Sequence, residues 1–205
     1  MYISISPYFF NAALLCTGDI LSTVSNAYAW SICEALASSA FPKFDVLFGP
    51  AYKGISLAAV TSLVLWTEHR VNVGLAYDRK EMKDHGEGGN MVGSSVKGKK
   101  VVILDDVMTS GKAIRGAIEN VTQGGGEVVG VVQLLDRQEV GQEEVKGRST
   151  VEEIEGLVGQ GRVLSVLKLE DLIEWLEDKE KFVDDLGRMR RYRERYGVRE
   201  DLNRE

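Results

Sequence analysis

Val101-Val102-Ile103-Leu104-Asp105-Asp106-Val107-Met108-Thr109-Ser110-Gly111-Lys112-Ala113 joins an apolar run to two acids, a turn of hydroxyls and glycine, and the start of a helix. Four consecutive aliphatic residues without alternation suit a strand buried on both faces. The helix is expected over Ala113 to Val121 and is stopped by Gly124-Gly125-Gly126. Backbone N–H groups at its start, with Thr109, Ser110 and Gly111 in the turn, form a concavity suited to a terminal phosphate. No G-x-x-x-x-G-K-[ST] and no G-x-G-x-x-G after a strand occurs, which excludes a P-loop and a dinucleotide fingerprint. Asp105 and Asp106 would repel a bare phosphate. They make sense as acceptors for sugar hydroxyls or as partners of a divalent cation. Together the parts describe a site for a ribose 5-phosphate.

Working outward, the same alternation recurs on both sides. A helix is expected over Leu21 to Ala37, ended by Phe41-Pro42, then a short buried strand over Phe44 to Phe48 and a helix over Ile55 to Trp66. Val71 to Tyr77 reads as a strand, Arg79 to Gly89 as a polar, glycine-bearing mobile loop, and Met91 to Val96 as a short strand. Val128 to Leu135 is a further buried strand, Gln138 to Gly161 a polar connection, Val163 to Leu167 the last strand, and the chain from Glu170 is helical. Strands alternating with helices imply right-handed crossovers and an α/β fold: a mostly parallel central sheet flanked by helices, with ligands at the carboxyl ends of the strands. One domain over 1–205 is expected: an N-terminal segment and helix to 40, the sheet over 41–168, and C-terminal helices over 169–205.

Composition narrows the function classes. A net charge of −6 over 205 residues argues against wholesale binding to nucleic acid, so an anionic ligand must meet locally gathered cations. The arginines between Arg188 and Arg199 are interleaved with or followed by acids and read as a solvated helix. Two cysteines, Cys16 and Cys33, suggest neither a disulfide framework nor a zinc site and are expected to be reduced core thiols. Ile55 to Trp66, the longest apolar stretch, is about half the ~20 residues of a membrane span. Met1 to Pro7 lacks the basic start of a secretory leader. A cytoplasmic protein, with no membrane and no nucleic acid among its partners, is expected.

Phe48-Gly49-Pro50-Ala51-Tyr52-Lys53-Gly54 repeats the strand-to-helix logic, with glycines where backbone can approach an anion and Lys53 for charge. Arg79, Lys80, Lys83 and His85 put four potential cations in one segment. His69 has no such context and is expected to be an ordinary surface residue.

The strand ending in Asp105 and Asp106 resembles the PRPP-binding signature (PRPP, 5-phosphoribosyl 1-pyrophosphate) of the type I phosphoribosyltransferases. In that family the two acids take the ribose hydroxyls and the turn, here Val107 to Ala113, holds the 5-phosphate. The Tyr52-Lys53 loop is similar to the family's pyrophosphate loop. Arg79 to Gly89 looks like the catalytic loop of the orotate phosphoribosyltransferases, with Arg79, Lys80, Lys83 and His85 on its functional positions. That resemblance implies a homodimer whose loop is shared between subunits, and Mg²⁺ held mainly through PRPP rather than by a direct protein ligand set. PRPP carries roughly four to five negative charges by ordinary phosphate ionisation, so a basic lid has a physical motive. Lys83, Asp106 and His85 are the catalytic candidates.

Two pieces point to the base. Ser6-Pro7-Tyr8-Phe9-Phe10-Asn11 resembles the segment whose paired phenylalanines frame the pyrimidine, and Leu135-Asp136-Arg137-Gln138-Glu139 the strand end whose arginine meets orotate. Arginine suits bidentate recognition of the carboxylate that separates orotate from uracil. Thr109 carries over as a further base contact. The resemblance implies a preceding lysine that touches both substrates. Met1-Tyr2-Ile3-Ser4-Ile5 stands there instead, so the chain reads as a shortened version. Its expected reaction joins orotate to the ribose 5-phosphate of PRPP. The rival readings are a phosphoribosyltransferase for another base and a PRPP-binding regulatory protein.

Overall fold

The computed structural model describes residues 6–83, 89–140 and 148–198, with the backbone alone at 81–83 and 89. Helix α1 (Gly18–Ala37) leads to β1 (Val46–Gly49), α2 (Lys53–His69), β2 (Gly74–Lys83), β3 (Gly89–Gly93), β4 (Lys100–Val107) and α3 (Lys112–Gln123). Then follow β5 (Glu127–Asp136), α4 (Thr150–Val158), β6 (Val163–Lys168), α5 (Leu169–Glu177) and α6 (Val183–Tyr196). Two short 3₁₀ turns lie before α1 and between α5 and α6.

The strands form a single six-stranded sheet in the order β3-β2-β1-β4-β5-β6. All neighbouring pairs are parallel except β2 with β3. Alternation along each central strand divides the core into two layers. Leu47, Val102, Leu104 and Leu134 face α1 and α2 through Tyr28, Ile32, Leu57 and Leu65. Phe48, Ile103 and Val131 face α3 and α4 through Ile114, Ala117, Ile154 and Val158. Because both faces are covered, these strands carry no polar alternation, which is what made them readable. A smaller third cluster, Leu169, Ile173 and Met189 with Tyr8 packed on it, ties α5 and α6 to the N-terminal segment.

The structure corrects three expectations. The expected loop from Arg79 continues β2 to Lys83 and pairs antiparallel with β3 through Lys83 and Gly89. Residues 84–88, including His85, lie outside the described residues. An edge hairpin needs no continuous apolar run, since one side of each strand faces water. The expected connection Gln138 to Gly161 contains α4, which begins with a capping box: Ser149 Oγ accepts from Glu152 N–H while Glu152 accepts from Ser149 N–H. Cys16 is exposed rather than in the core, and Cys33 is half-buried.

Candidate functional site

The carboxyl end of β4 is where the chain changes from buried strand to ligand-facing turn. Asp105 is buried and Asp106 largely so. Loss of water, followed by the neighbouring Asp106 charge, pushes the Asp105 carboxyl up to about 7. The Asp105 carbonyl accepts a 2.8 Å hydrogen bond from the buried Tyr28 hydroxyl, which fixes the strand end against α1. Burial and then the two aspartates hold that phenol well above its ordinary pKa.

Beyond the acids, residues Asp105 and Val107 through Ile114 enclose a recess of about 50 Å³, lined largely by the turn and the first residues of α3. Its floor is braced from beneath. Met108 N–H donates to the side chain of buried Gln133 on β5 at 3.0 Å, and Thr150 Oγ1 donates to the Thr109 carbonyl at 3.0 Å. Gly111 caps α3 in the left-handed region at φ +70°, and a Cβ there would lie 2.9 Å from Thr150 Cγ2. Glycine is therefore required on two grounds, conformation and space. The recess sits at a helix N-terminus, where backbone dipoles favour an anion.

The loop after β1 approaches from the side. A Cβ on Gly49 would fall 2.2 Å from the Gly54 carbonyl oxygen, so only glycine lets β1 fold this tightly into α2. Ala51 N–H donates to Asp78 at 2.7 Å, and Asp78 also accepts from Asn120 at 3.0 Å, joining this loop to β2 and α3. Lys53 Nζ lies 3.0 Å from Asp106 Oδ2. Tyr52 is exposed, with Lys80 Nζ 4.8 Å from its ring centroid.

A cleft of about 630 Å³ opens between these parts, its lining including Arg79, Lys80, Thr109, Ser110, Lys112 and Ala113. Arg79 and Lys80, of the basic segment, and the turn expected to bind phosphate thus share one cavity. Lys83 ends β2 opposite Gly89. Val107 pairs with Leu135, so Arg137, just past β5, stands at the same sheet edge as the acidic pair. Arg137 is partly buried against Tyr8, Glu139 and Tyr192. Burial works against its charge, but the Tyr8 hydrogen bond and the Glu139 carboxylate outweigh it and raise the pKa. Phe10 packs on the α1–α2 core, whereas Phe9 is 85% exposed.

Several residues of this edge were missed in the sequence: Tyr28, Asp78, Asn120, Gln133, Thr150 and Tyr192. Each acts through a distant partner, and no local pattern marks it. The exception is the Ser149-x-x-Glu152 spacing, which signals α4 and hence Thr150.

The chain belongs to the phosphoribosyltransferases: the phosphoribosyl transferase domain matches residues 21–166. Within that class it falls with the orotate phosphoribosyltransferases. An orotate phosphoribosyltransferase of Escherichia coli O139:H28 is 44% identical over 193 residues, spanning 94% of this chain and 86% of the relative. That of Enterobacter sp. (strain 638) is 45% identical over the same shares. The crystal structure of the Francisella tularensis orotate phosphoribosyltransferase matches with a TM-score of 0.76 at 35% identity, covering 94% of this chain and 87% of that one.

Proposed function

We propose that this chain, a pentosyltransferase of pyrimidine synthesis that joins orotate to the ribose 5-phosphate of PRPP and releases pyrophosphate, acts as a cytoplasmic homodimer on magnesium-bound PRPP. Residues 1–205 form one phosphoribosyltransferase domain. The observation that carries the reading is the backbone recess at Asp105 to Ile114 opening beside a cleft lined by Arg79 and Lys80. Backbone N–H groups in the recess, cations in the cleft that shares its turn, and Asp105 at the recess lining complement the two anionic ends and the ribose hydroxyls of PRPP.

In this reading the backbone of Val107 to Ala113 holds the 5-phosphate, and Asp105 and Asp106 accept hydrogen bonds from the ribose hydroxyls. Tyr52, Lys53, Arg79 and Lys80 meet the pyrophosphate. Lys83 and His85 close over it, neutralise the leaving group and exclude water. Phe9, Phe10 and Thr109 contact orotate, and Arg137 binds its carboxylate. The chemistry asked of the protein is positioning and charge stabilisation while the C1–O bond loosens and orotate N1 attacks from the opposite face.

Magnesium fits this donor set. It uses one or two carboxylates with substrate phosphates and water, and Asp105 and Asp106 are the carboxylates beside the recess that would contribute. Bound with PRPP, the ion would supply charge neutralisation at the pyrophosphate.

Subunit mixing tests the dimer and its shared loop. Lys83→Ala and Asp106→Asn proteins, each nearly inactive alone, are denatured together and refolded. A loop reaching into the neighbouring site restores about one quarter of the wild-type rate by statistical pairing in a twofold dimer. A loop serving its own site restores none.

A further inference from the structure

The C-terminal helices carry none of the residues assigned above, yet α6 reaches the side chain read as the orotate-binding arginine. Arg137 Nε donates to the Tyr8 hydroxyl at 3.3 Å, and its Cζ lies 5.3 Å from the Tyr8 ring centroid. Arg137 Nη2 lies 2.7 Å from Glu139 Oε1 and donates to the Tyr192 hydroxyl at 3.4 Å. That hydroxyl in turn donates to Glu139 Oε1 at 2.9 Å. The Tyr8 and Tyr192 rings meet edge to face with centroids 6.4 Å apart. Tyr192 is 6% exposed, so its ring has little freedom.

The backbone repeats the connection. Gln138, directly after Arg137, has φ +51°, an uncommon conformation for a residue with a side chain. Its N–H donates to Asp136 at 2.8 Å. Its carbonyl accepts from Val198 N–H, and its side-chain oxygen accepts from Glu170 N–H, both at 2.9 Å. Glu139 bridges Gly197. Val198 follows α6 and Glu170 lies in α5, so the C-terminal elements hold the turn that presents Arg137.

We propose that Tyr192 is a positioning residue for orotate recognition, acting through Arg137 and Glu139. The inference rests on the reading of Arg137 as the orotate contact. Glu139 is an internal carboxylate that competes with the carboxylate of the substrate. The Tyr192 hydroxyl gives Glu139 a second partner, so that orotate can take Arg137 without leaving a carboxylate stranded in a half-buried site. Without that hydroxyl, Glu139 leans more heavily on Arg137 and resists displacement. PRPP has no part in this contact.

The test is steady-state kinetics on Tyr192→Phe and Arg137→Lys, with thermal unfolding of each. Tyr192→Phe is expected to raise the orotate KM about 3- to 10-fold, the effect of one hydrogen bond, while PRPP KM and kcat stay within about twofold. Its unfolding midpoint stays near wild type. Arg137→Lys raises the orotate KM further. An unchanged orotate KM in Tyr192→Phe beside a raised one in Arg137→Lys overturns the role of Tyr192 alone. A parallel rise in both KM values of Tyr192→Phe, tracking a lower midpoint, overturns it in favour of simple packing. An unchanged orotate KM in Arg137→Lys removes the base-site reading itself, and the inference with it.

Discussion

The ammonium of Lys53, at the start of α2, lies 3.0 Å from the carboxylate of Asp106 at the end of β4. This contact bridges the two strand-to-helix loops across the β1–β4 pair, and it pre-aligns a cation with one of the two acids before any substrate arrives. Lys53 is mostly exposed, so the pair contributes no more than about 0–1 kcal/mol to stability. Its value lies in the site.

Lys53→Ala is therefore expected to leave the unfolding midpoint almost unchanged and to raise the PRPP KM about tenfold or more, the loss of one charge-assisted contact. Kinetics with varied PRPP, alongside calorimetric unfolding, check this. A large drop in midpoint with unchanged PRPP KM assigns Lys53 a structural role instead.

Lys83→Ala is expected to lower kcat by about 10²–10³-fold, the scale of a lost electrostatic contact to developing charge. PRPP binding, measured by titration calorimetry, changes far less. Equal losses in turnover and binding contradict a closing role for this residue.

Asp105 gives a pH signature. Its carboxyl is pushed up to about 7, chiefly by burial and then by Asp106. The native state holds this proton more tightly than the unfolded chain, so the associated stability is full below the unfolded pKa near 4 and is lost as pH rises through about 7. Asp105→Asn removes that dependence. The gap in unfolding midpoint between variant and wild type, measured without ligand, is expected to shift in favour of the variant between pH 5 and pH 8. Asp136 and Glu155, also raised by burial, are common to both proteins and cancel in the difference. A gap independent of pH refutes the assignment.

Gly111→Ala puts a methyl at φ +70° and 2.9 Å from Thr150 Cγ2. The expected cost is about 1 kcal/mol from backbone conformation alone, with a raised PRPP KM because the recess deforms. Adding Thr150→Ser removes the clashing methyl but keeps the hydroxyl that braces Thr109, and should recover part of the loss. No recovery means the backbone conformation dominates.

The central strands and the turn after β4 were legible because their signals are local. Val101 to Leu104 is apolar throughout since both faces are covered, and Asp105 to Gly111 follow one another in the chain. Only the outer end of β2, from Arg79 to Lys83, reads as a loop in the sequence, because beyond the β1 pairing that ends at Tyr77 it carries charges such as Arg79 and Lys80 that a water-facing extension tolerates. Helix α4 was hidden in a polar stretch, although its Ser149–Glu152 box was there to be read. The Arg137 network was illegible for a different reason: Tyr8, Glu139 and Tyr192 meet only after the chain has crossed the sheet, and no spacing records that.

Catalysis and base choice are read together from the orotate absorbance of purified protein mixed with PRPP and Mg²⁺, beside controls with uracil, with hypoxanthine and without metal. Orotate is expected to be lost only when PRPP and Mg²⁺ are both present, with no turnover of uracil or hypoxanthine. Unchanged orotate absorbance while PRPP still binds, or equal use of uracil, would contradict it.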